Sequence, residues 1–121
     1  MAKGTIRELL VQTRLLQYGV QAAAPIKDSG NDLIAPKGYA IRTIQVKTCT
    51  ARFATPRGLP EKYHLLALVS LHGYDTELLL DQTKVYLVPK DQVAGLRVNR
   101  KADMEQFSIS QGLVDALFVE P

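Results

Sequence analysis

The sequence predicts an α/β domain: a mixed β-sheet flanked by helices, in αβββ-αβ order. Three observations predict it. A helix-forming run opens the chain and stops at a glycine, a long β-branched run follows a Pro-Lys-Gly turn, and further strand pattern precedes a closing helical region. With 121 residues, 46% of them apolar and 22% charged, the chain has material for a single domain, 1–121. Cys49 is the one cysteine in the sequence, which excludes an internal disulfide and a multi-cysteine zinc site and suits a reducing compartment.

From Gly4 to Tyr18 the run is rich in helix formers, and Gly19 is a C-terminal stop signal. Ile6, Leu9, Leu10, Thr13 and Leu16 form one broad stripe, while Val11 and Leu15 add a second apolar side. Val20 to Ile26 reads as a short strand and Lys27 to Asn31 as a loop. Asp32 to Ala35 starts another strand, which Pro36-Lys37-Gly38 turns into the longest β-like run, Tyr39 to Cys49. Thr50 to Lys62, with Pro56, Gly58 and Pro60, reads as an exposed loop. Tyr63 to Leu71 fits strand or helix, and length does not decide between them. Val85 to Val88 is a strand ended by Pro89. Met104, Phe107, Leu113, Val114, Leu117 and Phe118 mark a closing helical region, interrupted in propensity by Gly112.

No apolar run reaches bilayer-spanning length, and the opening residues lead into the helix without a signal-peptide core, so a soluble intracellular protein is expected, with no membrane partner. Neither GxGxxG nor GxxxxGK[ST] occurs, so dinucleotide and P-loop readings have no support. Residues 1–62 hold ten Lys/Arg against four Asp/Glu, whereas residues 63–121 hold five against eight. A basic half and an acidic half suit a polyanion-binding face; chance scatter gives the same count.

Within the β-branched run, Thr43, Gln45, Lys47 and Cys49 share one face and Arg42, Ile44, Val46 and Thr48 the other. A tight Lys37-Gly38 loop would set Asp32 against Thr43; a two-residue shift would set it against Gln45. Either way Asp32, Gln45 and Lys47 converge, and a one-residue slip would separate them. Carboxylate and amide oxygens suit a hard divalent cation such as Mg²⁺, and a lysine beside them can stabilise charge developing on phosphorus.

The pattern Asp32-(x)12-Gln45-Val46-Lys47 resembles the PD-(D/E)XK nucleases, in the variant with glutamine before x-Lys. The resemblance extends to the glutamate-bearing helix around Glu8, to Asn31-Asp32-Leu33-Ile34, to Ile44-Gln45-Val46-Lys47-Thr48 and to the later Val85–Pro89 and Leu96-Arg97-Val98 segments. The chain is similar both to archaeal Holliday-junction resolvases and, more closely, to intron-encoded homing endonucleases. The resemblance implies a restriction-endonuclease-like core and Mg²⁺-dependent cleavage of DNA phosphodiesters, with Mn²⁺ able to substitute, in a cytoplasmic, nucleoid-associated homodimer or homotetramer. It implies that Asp32 and Gln45 bind metal, that Lys47 is the catalytic lysine and that Glu8 completes the acidic site. Two departures are visible: Asn31 stands where the family has proline, and Gln45 carries no charge, leaving fewer negative ligands.

Other readings of the same residues stay open. Thr5-x-x-Glu8 is also a capping-box signature, in which Glu8 reaches back to the Thr5 N–H. Lys47 can be an edge-strand lysine, and Asp32 a turn aspartate. Arg57, Arg52, Arg42 and Lys62 are candidate DNA-backbone contacts, Arg57 foremost, with solvated surface charge as the alternative. His64 and His72 stand apart from other ligand types, and Cys49 is expected to be a packed thiol. Gly112 to Val119 is a candidate subunit interface or a core-packing segment. The alternative to an active nuclease is a catalytically weak or inactive DNA-binding or assembly module on the same fold.

Overall fold

Helix α1, Lys3–Gln17, ends as its sequence demands. Gly19 adopts φ +85°, and the Val20 N–H donates to Leu15 O at 3.0 Å while the Gly19 N–H donates to Leu16 O at 3.1 Å. This is the Schellman arrangement, closed by apolar contact between Leu15 and Val20, both fully buried. The computed structural model describes residues 3–24, 32–48, 58–70, 73–74, 77–78, 83–97 and 101–119. The helix buries its Val11–Leu15 side rather than the broader Leu9–Thr13–Leu16 stripe: Leu9 and Leu16 are 45% and 57% exposed. Both sides of the helix are apolar, so composition does not choose; contact with the sheet does.

Strand β1, Leu33–Lys37, pairs antiparallel with β2, Ala40–Thr48. Lys37 pairs with Ala40, so the two-residue loop is Gly38-Tyr39, one position later than the sequence suggests. Gly38 has φ +62°, and no non-glycine residue has positive φ among the described residues. Positive φ at only the first loop position is the pattern of a II′ hairpin turn, which requires glycine there and excludes Lys37. Pro36 fits within β1 because Ile34, which shares its alternation, turns its backbone away from β2 to bond Ala23. The expected strand from Val20 reduces among the described residues to that single bridge, Ala23 with Ile34.

The segment that fits strand or helix is strand β3, Leu65–Ser70, parallel to β2. Short strands β4, Gly73–Tyr74, and β5, Glu77–Leu78, pair separately, and β6, Lys84–Pro89, runs antiparallel to β3. The main sheet has the order β1-β2-β3-β6, a mixed four-stranded open sheet of the α/β class. All five residues from Leu65 to Val69 are buried, as befits a strand covered on both faces.

Helices cover both faces. Val11 and Leu15 of α1 pack with Ile44, Val46, Leu65, Ala67, Val69 and Leu87 in one core. Leu66, Leu68 and Val88 face a second core formed with Val93 of α2 (Lys90–Val93), Leu96, Met104 of α3 (Lys101–Glu105) and Phe107. The closing region is therefore two helices. After α3 the chain bridges β6 at Ser108, and α4, Gln111–Leu117, returns to the first core through Val114, with Phe118 following. Ser110 caps α4 by accepting the Leu113 N–H. Gly112 to Val119 thus contributes to the core through Val114 and Phe118, leaving Val119 60% exposed. No helix among the described residues is long and apolar enough to cross a membrane.

Candidate functional site at the end of strand β2

Strand alternation places the site. Ile44 and Val46 point into the α1 core, so Thr43, Gln45 and Lys47 point to the opposite face, beside Leu66 and Leu68. Gln45 is only 5% exposed, the one buried polar or charged side chain among the described residues. Its neighbour in β3 is Leu66. The paired register ends at Leu33 with Ile44, and Asp32, the residue before it, lies next to the Gln45–Lys47 stretch through its side chain rather than through a ladder pair.

Asp32 does more than close a turn. Its Oδ2 accepts the Val46 N–H at 2.8 Å, and its own N–H donates to Ile44 O at 3.1 Å. The carboxylate takes the place of a backbone carbonyl where β1 begins, and Oδ1 takes no part in that bond. Lys47 is half-buried and paired with Leu68 of β3, while pairing of β2 with β1 ends three residues earlier at Ile44. Among the described residues its ammonium has no hydrogen-bond or ion-pair partner. The backbone at Gly58 comes close: a Cβ there would lie 3.8 Å from Lys47 Nζ, and Gly58 has φ +71°.

Glu8 is half-buried on α1, in line with fully buried Val11 and Leu15. Helix α1 starts at Lys3, so Thr5 lies inside it and is not its N-cap; the capping-box reading falls away. The Glu8 carboxylate has no partner among the described residues, and no bond joins it to Asp32, Gln45 or Lys47. No three His, Cys, Asp or Glu side chains gather to hold a metal ion among the described residues. The oxygen groups at this end of β2 are the Asp32 carboxylate and the Gln45 amide; Glu8 is carried by α1, which packs on the Ile44–Val46 face, so the structure does not bring it together with Gln45. The Asp32 and Gln45 groups are hard oxygen ligands and fit Mg²⁺ in kind.

The basic candidates divide. Arg42 lies on the opposite face of β2 from Gln45, and its guanidinium is engaged within the chain. Nε donates to Leu117 O at 3.0 Å, Nη2 to Val119 O at 2.8 Å and Nη1 to Ile41 O at 3.1 Å, tying down the end of α4. Lys62 is exposed. Arg52 and Arg57, like Cys49 and His72, lie outside the described residues.

Two residues take positions in the structure that the sequence reading did not assign them. His64 Nδ1 accepts the Thr43 N–H at 2.9 Å, with Thr43 Oγ1 3.1 Å away, locking the start of β3 to β2. Because Nδ1 accepts, the ring proton of neutral His64 sits on Nε2. Arg7, one residue before Glu8, donates from Nη1 to Thr48 Oγ1 at 3.1 Å, while its Nε is buried without an acceptor. Its place four residues before Val11, on the buried stripe, was the available signal.

Buried Gln45 and half-buried Lys47 share one face of β2, and the Asp32 carboxylate is bonded to the N–H of the residue between them. Comparison with family models, curated proteins and solved structures found no match to this chain.

Proposed function

We propose that the chain is a Mg²⁺-dependent endodeoxyribonuclease with a restriction-endonuclease-like core of the PD-(D/E)XK type. The observation that carries this reading is the Asp32 carboxylate held on the N–H of Val46, the residue between buried Gln45 and Lys47 in β2. Asp32 is held through Oδ2 by the Val46 N–H, and its Oδ1 with the Gln45 amide oxygen would ligate the cation; Glu8, on the α1 side of the sheet, stands outside that set. When bound, Mg²⁺ supplies Lewis-acid polarisation of a phosphate oxygen and lowers the pKa of a water. The chain's own part is positional and electrostatic. Lys47 donates to a phosphate oxygen and stabilises the charge that builds as water adds to phosphorus and the 3′ oxygen leaves. Burial of Gln45 against Leu66 keeps water from competing for that face. Products carry 5′-phosphate and 3′-hydroxyl ends. A double-strand cut needs two sites, so the working form is a homodimer or homotetramer.

The test is cleavage of supercoiled, linear and branched DNA with Mg²⁺ or Mn²⁺. Activity surviving in both Asp32→Ala and Lys47→Ala would sink the assignment. One observation favours a second reading, a nuclease fold that binds DNA with little or no turnover. Gln45 is neutral, and no third acidic or metal-ligating side chain joins the set among the described residues. Salt-sensitive DNA binding without cleavage in any divalent ion selects it.

A further inference from the structure

We infer that Arg7 is a phosphate-binding residue of this site: anchored on Thr48, it grips a DNA backbone phosphate next to the one presented to Asp32, Gln45 and Lys47. The inference rests on the nuclease reading. It starts from a polar group the fold leaves unpaired. Arg7 Nε is shielded from water and has no acceptor, although Nη1 bonds Thr48 Oγ1 at 3.1 Å. Buried polar groups are nearly always paired, so an exception in a half-buried arginine calls for an explanation.

No partner among the described residues supplies one. Among the described residues no carboxylate pairs with Arg7. Glu8 follows it directly in the helix, and successive helical side chains do not face each other. An arginine needed only to hold Thr48 has no use for its remaining N–H groups. The planar guanidinium presents two parallel N–H donors to two oxygens of one phosphate, which lysine does not. A shift about the Thr48 anchor offers the Nε edge to such an oxygen.

The location matches the chemistry. Thr48 follows Lys47 at the end of β2, so the anchor of Arg7 is one residue from the lysine. The two side chains leave the strand on opposite faces and flank its end. Neither cation has a carboxylate partner among the described residues. A strand of DNA crossing the end of β2 meets both: one phosphate at Lys47 and its neighbour at Arg7.

The experiment measures binding of the full chain to a labelled DNA duplex in EDTA, as a function of salt. Arg7→Met is expected to weaken binding roughly ten- to a hundredfold, the loss of one charge-assisted contact. The slope of log affinity against log salt should fall by about 0.9, one phosphate contact. Arg7→Lys should keep the slope and recover only part of the affinity, with both variants melting near the wild type. Wild-type slope and affinity in Arg7→Met, while Mg²⁺-dependent cleavage persists and is lost in Lys47→Ala, overturns the inference and leaves the nuclease reading standing. So does a loss of binding that tracks a fall in melting temperature and is not restored by Arg7→Lys, since that marks a structural role. A wild type that neither binds nor cleaves DNA overturns both.

Discussion

Replacing Asp32 separates its structural from its chemical role. Its Oδ2 accepts the N–H of Val46, a residue 2% exposed that lies two positions beyond the last pair of β2 with β1. Asp32→Ala leaves that donor without its partner, a loss of about 1.5–3 kcal/mol for a hydrogen bond to a charged group. Unfolding entropy scales at about 2.1 cal/mol/K per residue, so for this chain the melting temperature should fall by about 6–12 °C. Asp32→Asn keeps an acceptor oxygen and loses only the charge assistance, about 1 kcal/mol or about 4 °C. Thermal unfolding followed by circular dichroism in EDTA gives both values. The same melts repeated in Mg²⁺ report the chemical role. A cation held by the other oxygen stabilises the wild type by about 2.7 kcal/mol at a hundredfold excess over Kd, about 10 °C, and should do much less for Asp32→Asn. An Asp32→Ala protein melting within about 2 °C of wild type in EDTA would refute the anchoring of Val46. Equal Mg²⁺ shifts in wild type and Asp32→Asn would refute the assignment of Asp32 as a metal ligand.

Burial pushes the Tyr63 hydroxyl above its ordinary 10.0, so the folded protein keeps that proton after the unfolded chain has lost it. Stability linked to Tyr63 is therefore full below pH 10 and declines as pH rises toward the folded value. Tyr63→Phe should show less loss of urea midpoint between about pH 9 and pH 11 than wild type. Arg42→Met removes the donors to Leu117 O and Val119 O and should speed amide exchange across α4, with a stability loss of about 1–3 kcal/mol; unchanged protection of α4 counts against that cap. Gly38→Ala forces a side chain into φ +62° and should cost about 1–2 kcal/mol, whereas Gly38→Asn, which tolerates that region better, should cost less. A stable Gly38→Ala protein would mean that the hairpin turn reforms elsewhere.

The parts of the fold legible in the sequence are those decided by local backbone chemistry. Gly19 ended α1 because only glycine sits easily at φ +85°, and the β-branched run from Ala40 to Thr48 formed the long strand. Gly38 specified a turn as well, but its place within the loop depended on which residue must take positive φ, and that moved the register by two. What depended on tertiary partners was not legible. Both sides of α1 were apolar, and the sheet chose Val11 and Leu15. The segment at Leu65–Ser70 became a strand because β2 and β6 were there to pair with it. The closing region split because Met104 and Val114 serve cores on opposite faces of the sheet.

The same division explains the site. Alternation alone put Gln45 and Lys47 on one face, but a polar pair on a strand means little until its cover is known. On a solvated face they would be ordinary surface residues. Instead Gln45 is buried beside Leu66, and Lys47 is half-buried with an ammonium that the described residues leave unpaired. Ordering and desolvating a lysine without a compensating partner works against folding. At the same end of β2, Arg7 keeps an unpaired buried N–H. These two cations, with no carboxylate partner among the described residues and close to buried Gln45 and the Asp32 carboxylate, are the features on which the proposed binding of an anionic substrate rests. Removing one such cation should therefore cost folding stability little and substrate binding much, the reverse of what a purely structural side chain does.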